Sequence, residues 1–419
     1  MDLAAPLIFV ATYVLISLRR LAHIPLERPA VALVGASLMI LFSVVTPQEA
    51  LGAIDLNTVL LLVGMMLVVV TLESTGFFSH LALWIVERSK NQRQLMVGLC
   101  VATAVLSALV LNDTVVLFFT PIIIHAARLL QVNPVKYLVA EAICANIGSV
   151  ATQIGNPQNA YIGTVSGITF LRYLTIMGPV MLVTLALAVA ILLVLYRHEL
   201  TQPIEPRAVT QLEATQGITQ PRLLWFSLAM TALIFAAFLA SHLIRLPLSL
   251  IALSGGSILI FFAPVFGKSS PRVLFRRVDW SIILLFIGLF IVLKGVQTSG
   301  LLDQLFTTFE RASAGSIRTV WGLGLLASII SNLISNVPAV LLLSHVVGNI
   351  ATEAMWFTLA ASSTLAGNAT ILGAAANIIV AERSEELGVG IGFWEFTRVG
   401  LPVTIATLAA AFAMVEILT

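Results

Sequence analysis

Long apolar runs separated by short polar stretches fill nearly the whole chain. A helix that crosses a bilayer needs ~18–20 mostly apolar residues, and runs close to this length recur in both halves. The predicted spans lie near residues 4–18, 29–46, 56–73, 135–163, 176–196, 223–243, 247–266, 280–297, 356–382 and 399–418. The pattern therefore predicts an all-α polytopic membrane protein with ten transmembrane helices.

A polar triplet, Asn-Asp-Thr beginning at Asn112, interrupts the longest apolar region of the first half. Its apolar arms cover residues 95–111 and 115–130, and no loop separates them. We therefore predict a re-entrant hairpin over residues 95–130. A polar tip at that depth is tolerated only where protein or a water-filled cavity surrounds it. The alternative is a tight surface turn between two short spanning helices.

The two halves of the chain repeat. IDLNTVLLLVG in the first half matches VDWSIILLFIG in the second, so that Gly64 falls on Gly288, 224 positions later. At the same offset Asn112 falls on Asn336, which predicts a second hairpin over residues 319–350. Further on, ATQIGNPQN matches ATILGAAAN. That match pairs Thr152, Gly155 and Asn159 with Thr370, Gly373 and Asn377.

The repeat predicts an inverted architecture. Residues 1–197 and 223–419 each hold five predicted crossings and a hairpin, and a polar cytoplasmic linker over 198–222 joins them. Because five is odd, the second copy enters the membrane upside down. Inverted repeats are typical of secondary transporters, whose substrate site lies near the midplane where the repeats meet.

Composition and charge agree with a membrane protein. The chain is 59% hydrophobic and 10% charged, against about 25% charged for a soluble domain. Its net charge of +2 gives no reason to expect nucleic acid. Placing both termini outside puts 17 of the 22 basic residues in the cytoplasm, as the positive-inside rule favours. We predict the cytoplasmic membrane as its location.

The hairpin tips and the Gly/Asn-rich stretches after residues 145 and 364 are places where helices break. A broken helix exposes N–H groups and carbonyls that can bind a polar solute or an ion. The predicted substrate-binding residues are Asn112, Thr114, Ser149, Thr152 and Asn156 in the first half and Ser335, Asn336, Asn368 and Thr370 in the second. The alternative is that Gly and Asn only allow close helix packing.

Asp113 is the predicted coupling residue. An intramembrane carboxylate costs ~2.5 kcal/mol or more, and the repeat partner of Asp113 is Val337 rather than an acid. One such group can carry one proton or neutralise one monovalent cation, and proton coupling is the leading hypothesis. The two cysteines form no CxxC or Cys/His cluster, so neither a metal site nor a cofactor is predicted.

These motifs resemble the ion-transporter superfamily of arsenite efflux permeases and NhaD-type sodium/proton antiporters, with divalent-anion/sodium symporters more distant. LNDTVVLFFTPIII is similar to the family's first hairpin motif, SNVPAV to its second and IGNPQN to a loop of the anion branch. The resemblance implies a moving transport domain built from the hairpins and broken helices. For the arsenite branch it implies export of arsenite and antimonite in exchange for protons, sometimes with a soluble ATPase partner.

We therefore predict a proton-coupled exporter of arsenite or antimonite rather than an enzyme. A neutral hydroxide suits a site of Asn, Ser and Thr, and no basic residue occurs in either broken region. The alternatives of the same fold are a sodium/proton antiporter and a sodium- or proton-coupled anion or dicarboxylate transporter. A passive channel and a membrane-embedded enzyme fit less well, because a single titratable group between broken-helix repeats suits alternating access.

Overall fold

The computed structural model describes residues 4–18, 20–21, 24–25, 27–201, 218–312, 315–350 and 352–419. Over these residues the protein is all-helical apart from one pair of two-residue strands, β1 (Arg20–Leu21) and β2 (Ile24–Pro25), which are antiparallel. Most of the predicted linker, residues 202–217, lies outside the described part of the chain.

The helices of the first half are α1 (Ala4–Leu18), α2 (Arg28–Leu41), α3 (Pro47–Ala53), α4 (Leu56–Ser74), α5 (Phe77–Arg88), α6 (Gln92–Leu109), α7 (Asn112–Leu129), α8 (Val135–Ser149), α9 (Pro157–Val165) and α10 (Phe170–Leu195). Those of the second half are α11 (Pro221–Leu239), α12 (Ser241–Ile244), α13 (Leu248–Phe266), α14 (Pro271–Arg277), α15 (Trp280–Thr298), α16 (Leu301–Ala312), α17 (Val320–Ile334), α18 (Asn336–Ile350), α19 (Glu353–Leu365), α20 (Ala375–Glu386) and α21 (Phe393–Leu418). Short 3₁₀ helices cover Ser316–Arg318 and Ala366–Ala369.

Seven helices of the described residues are long and apolar enough to cross a membrane: α4, α6, α10, α11, α13, α15 and α21. The chain is thus a polytopic helical membrane protein, as its apolar pattern predicted. The total of ten crossings, the re-entry of the hairpins and the inverted relation of the halves stay predictions.

Two reciprocal helix pairs join the halves through glycine. A Cβ on Gly64 in α4 would lie 2.3 Å from the Ala252 carbonyl carbon in α13, and one on Gly288 in α15 would lie 2.6 Å from that of Ala32 in α2. Gly64 and Gly288 are repeat partners. Because only glycine permits such backbone approach, the same small-residue contact is used twice, each time between opposite halves.

The helices that carry the predicted site are buried on all sides. Every residue of α8 is buried, as is every residue of α19 from Met355 to Leu365. Helix α6 lies against α8 in a constant register. A Cβ on Gly148 would lie 2.1 Å from the Ala104 carbonyl oxygen, and Thr152 Oγ1 donates to the Ala108 carbonyl at 2.7 Å. Both pairs are 44 positions apart, so the two helices run parallel.

The two predicted hairpins are helix–break–helix units. Helices α6 and α7 are separated only by Val110 and Leu111, and α17 and α18 only by Ser335. Leu95 near the start of α6 and Ala127 near the end of α7 line the same small cavity. The arms of the first unit therefore fold back against each other, with the polar triplet at the turn.

Candidate solute and proton site

The tips of the two helix–break–helix units meet at one cavity of about 50 Å³. Each tip contributes the N-terminus of its second helix, α7 or α18, whose first N–H groups have no partner within the helix. The polar residues lining the cavity are Arg28, Asn112, Asp113, Asn146, Gln158, Ser335 and Asn336. Residues from both halves thus surround one space.

Each half holds its broken helix with an asparagine. Asn159 Nδ2 donates to the Ser149 and Thr152 carbonyls at 3.1 and 3.2 Å. Asn377 Nδ2 donates to the Gly367 and Thr370 carbonyls at 2.8 and 3.0 Å. All three positions correspond at an offset of 218. The amide therefore replaces helix hydrogen bonds that the break removes, in the same way twice.

Both breaks also require glycine. A Cβ on Gly155 would lie 2.3 Å from the Ser149 carbonyl oxygen, and one on Gly373 would lie 2.5 Å from the Gly367 carbonyl oxygen. Contacts this short cannot occur without backbone movement, so a larger residue at either position would open the turn. The glycines noted in the sequence are explained by this close packing within each break.

Asn146 in α8 joins the two breaks. Its Nδ2 donates to Asn368 Oδ1 at 2.8 Å and to Asn377 Oδ1 at 2.9 Å, and its Oδ1 accepts from Asn112 Nδ2 at 3.1 Å. The amides of both halves therefore form one network. Within the described residues, buried Asn112 Oδ1 and Asn368 Nδ2 have no hydrogen-bond partner. Such atoms are costly unless something binds them.

Thr364 in α19 makes the matching connection in the opposite direction. It lies 218 positions after Asn146, and its hydroxyl accepts from Asn156 Nδ2 at 3.1 Å and from Gln158 Nε2 at 3.3 Å. Asn156 also caps α9, accepting from the Asn159 backbone N–H at 2.9 Å. Each fully buried helix thus reaches across to the other half's break.

Asp113 lies in the first turn of α7 and is 8% exposed. The helix N-terminus favours a negative charge there. Within the described chain no hydrogen bond reaches its carboxylate, and the charged groups close enough to act on it are Asp279 and Arg28. Asp113 is therefore a nearly buried carboxylate facing a polar cavity and influenced by an arginine and an aspartate of the surrounding helices.

Arg28 connects α2 to the second tip. Its Nη1 donates to Ser335 Oγ at 2.9 Å. Ser335 has φ 75° and ψ 161°, a backbone conformation that only glycine adopts without strain. The arginine therefore holds a strained serine at the turn between α17 and α18.

The predicted residues separate into two groups. Asn112, Asp113, Ser335 and Asn336 line the cavity, and Asn368 is joined to them through Asn146. Ser149, Thr152 and Asn156 bond within or between the broken helices, while Thr114 and Thr370 do not line the cavity. Their part in substrate binding stays a prediction.

Sequence reasoning missed Arg28, Asn146 and Gln158 as cavity residues. The absence of basic residues from the broken regions holds, but Arg28 reaches the cavity from α2. Asn146 opens the first Gly/Asn-rich stretch, but its position inside a regular helix gives no sign that its side chain joins both breaks. Extending the 218-position repeat upstream would have paired it with Thr364, a polar residue at an equally buried position. Over the described residues no group of three or more His, Cys, Asp or Glu could hold a metal.

A model of the citrate transporter family, CitMHS, matches residues 13–366, which include both tips. The chain belongs to this family. It is 32% identical to an uncharacterized transporter of Mycobacterium tuberculosis strain H37Rv over 98% of this chain and 97% of the relative.

Two further relatives carry more specific names. The silicon efflux transporter LSI3 of Oryza sativa subsp. japonica is 30% identical over 94% of this chain and 93% of the relative. A Dictyostelium discoideum protein named "Putative transporter arsB" is 23% identical over 94% of this chain and 88% of its own length.

Among solved structures, the YdaH transporter of Alcanivorax borkumensis matches with a TM-score of 0.58, covering 99% of this chain and 98% of that one. At 13% identity this likeness concerns the fold alone. The family model and the named relatives identify the protein as a membrane transporter of the superfamily that the hairpin motifs resemble.

Proposed function

We propose that the protein is a secondary active transporter that exports arsenite or antimonite in exchange for protons by alternating access. The observation that carries the proposal is the cavity between the two tips. It holds one carboxylate, Asp113, beside the unpartnered amide oxygen of Asn112, in a network that ends at the unpartnered amide nitrogen of Asn368.

The cavity chemistry suits a small neutral hydroxide. Arsenite and antimonite in neutral water carry hydroxyl groups that both donate and accept hydrogen bonds, and amides offer both functions. A volume of about 50 Å³ corresponds to a solute of a few heavy atoms. The silicon efflux relative supports the same solute class, because dissolved silicon is also a neutral hydroxide.

Asp113 supplies the coupling. A solute hydroxyl donates to the Asp113 carboxylate when that carboxylate is ionised. A proton on that oxygen makes it a donor and leaves the carboxyl a weaker acceptor, so solute and proton compete for the same position. Competition at one site is the condition for exchange, because the site then changes sides with either the solute or the proton bound.

A second candidate is a proton- or sodium-coupled carrier of a carboxylate anion. Arg28 at the cavity favours it, since a guanidinium forms strong paired hydrogen bonds with carboxylates, and the family is described as citrate transporters. A sodium/proton antiporter is the remaining alternative of this fold, and Asp113 would then bind the cation.

The proposal includes the predicted architecture. Residues 1–197 and 223–419 form inverted repeats, and the two hairpins enter the membrane from opposite faces. Both termini lie on the extracytoplasmic side of the cytoplasmic membrane. A cysteine introduced at Gly315 should then react with an impermeant thiol reagent from outside. Labelling from the cytoplasm alone would contradict this orientation. A soluble ATPase partner belongs to the same hypothesis.

The test is a solute panel in liposomes. Purified protein is reconstituted, and uptake of arsenite, antimonite, silicic acid, citrate, succinate and sodium is followed under a fixed pH gradient. We expect protein-dependent flux of the hydroxides with little flux of the anions. Citrate or succinate flux without arsenite flux would move the protein to the second candidate, and sodium flux alone to the third.

A further inference from the structure

A surface groove lies on the outer face of the first helix–break–helix unit. It has a volume of about 640 Å³ and runs between α5 and α6. Its wall on α6 includes Gly98, Val101, Val105 and Leu109, and Trp84 belongs to the wall on α5. Val101 and Val105 are 44% and 45% exposed, so the groove is open at the protein surface, apolar, and not part of the core.

The length of the groove matches one leaflet of a bilayer. Its lining on α6 extends from Gln94 to Leu109, which at 1.5 Å per residue is roughly 22 Å. Half of a bilayer, with its headgroup region included, is about 20–22 Å, so a lipid with one extended acyl chain fills the groove from the headgroup level to the midplane. Leu109 adjoins the break that carries Asn112, and the far end of the groove therefore lies next to the tip.

The other end of the groove is basic. Arg88 and Lys90 line it, and the Arg88 guanidinium lies 4.7 Å from the centre of the Trp84 ring. A tryptophan beside cationic side chains is typical of the level of the lipid headgroups. At the 224-position offset the second half has alanines, Ala312 and Ala314, in the sequence. The repeat itself therefore does not require the two charges.

From this combination we propose that the groove is a binding site for an anionic phospholipid. One acyl chain lies along Val101 and Val105, and the headgroup phosphate accepts hydrogen bonds from Arg88 and Lys90. A cation near the membrane surface attracts anionic lipid, and the apolar channel fixes where the chain goes. The lipid is then part of the surface along which the first helix–break–helix unit contacts the membrane.

The test measures lipid binding to the full-length protein by native mass spectrometry, titrating phosphatidylglycerol against phosphatidylcholine with identical acyl chains. We expect about a thirtyfold preference for phosphatidylglycerol from two cations at the headgroup. Arg88→Gln combined with Lys90→Gln should remove the preference. Val101→Trp, which fills an exposed part of the groove, should weaken binding of both lipids.

The matched control is Arg272→Gln with Arg276→Gln, which removes two exposed charges of α14 that do not line the groove. It should leave the preference unchanged. Equal binding of the two lipids by the wild-type protein would overturn the proposal. A preference that survives the loss of Arg88 and Lys90 would also overturn it, as would a preference that disappears equally in the α14 control. A Val101→Trp variant that binds both lipids as the wild type does would overturn it too.

Discussion

The two tips share a position in the repeat and differ in their chemistry. At the first tip, Leu111, the repeat partner of Ser335, has an ordinary backbone with φ −59°, and Asp113 brings a carboxylate to the cavity. At the second, Ser335 occupies a strained conformation held by Arg28, and Val337 stands where the acid would be. In the adjacent broken helices, however, an asparagine side chain donates to two backbone carbonyls in the same way in both halves.

This contrast separates framework from function. Features needed to keep a helix broken inside a membrane occur in both halves: a glycine turn, an asparagine that binds two carbonyls, and a buried helix that reaches across. The charged groups that line the cavity occur once each, Asp113 at the first tip and Arg28 beside the second. We infer that the repeated parts build the cavity and that Asp113 and Arg28 determine what occupies it.

The largest expected effect is at the first tip. Asp113→Asn should abolish uphill arsenite transport on a pH gradient, because the amide cannot exchange a proton. For one proton per solute, a gradient of one pH unit supports about tenfold accumulation, and the variant should show none. Asp113→Glu, which keeps the carboxyl, is the control. Uphill transport by the Asn variant would mean that coupling lies elsewhere.

The shared framework predicts matched losses in the two halves. Asn159→Ala and Asn377→Ala each remove two hydrogen bonds and leave one buried carbonyl, that of Ser149 or Gly367, without a partner. Each should therefore reduce the free energy of unfolding by about 2 kcal/mol. Thermal denaturation in detergent measures both. Asn349→Ala, at an exposed position in α18, serves as the control. A large loss at one asparagine and none at the other would contradict the equivalence of the breaks.

Removing the cation tests the second tip. Arg28→Gln loses a charged hydrogen bond to Ser335, and charged bonds contribute about 1.5–3 kcal/mol, so arsenite flux should fall at least about tenfold. Arg28→Lys keeps the charge and one donor, and should retain part of the flux. If the Gln variant transports at the wild-type rate, Arg28 has no role in the cycle.

The smallest effect isolates backbone strain. Ser335→Gly and Ser335→Ala both lose the arginine contact, but only glycine relieves the positive φ, so the Gly variant should be more stable by about 1–2 kcal/mol. At Leu111, the repeat partner of Ser335, φ is −59°, so the order should reverse and Ala should be favoured by about 0.5–1 kcal/mol. Thermal denaturation of the four variants gives both differences, and equal stabilities at position 335 would argue against strain.

Local chemistry explains what could be predicted. The polar triplet at Asn112 and the glycines at Gly155 and Gly373 act on their own turn of backbone, so the sequence alone located the breaks. Repetition did the rest, because an offset of 224 from Asn112 leads directly to Asn336. Asn112 and Asn336 each begin a helix, α7 and α18, and both line one cavity.

The missed residues depend on packing between distant helices. Arg28 belongs by sequence to a group of cytoplasmic basic residues, and only the position of α2 beside the second tip brings it to Ser335. Asn146 lies within a regular helix, and its role follows from the breaks of both halves meeting at its side chain. A charge count and a local pattern carry no such information.

The most direct measurement follows protons and arsenite together in one liposome experiment. Wild-type protein is reconstituted with a pH-sensitive dye inside, and an arsenite gradient is imposed with no initial pH difference. If Asp113 exchanges the proton, arsenite movement drives protons in the opposite direction in the wild type and drives none in Asp113→Asn. Wild-type arsenite movement with no change of internal pH would contradict proton exchange at the cavity between the tips.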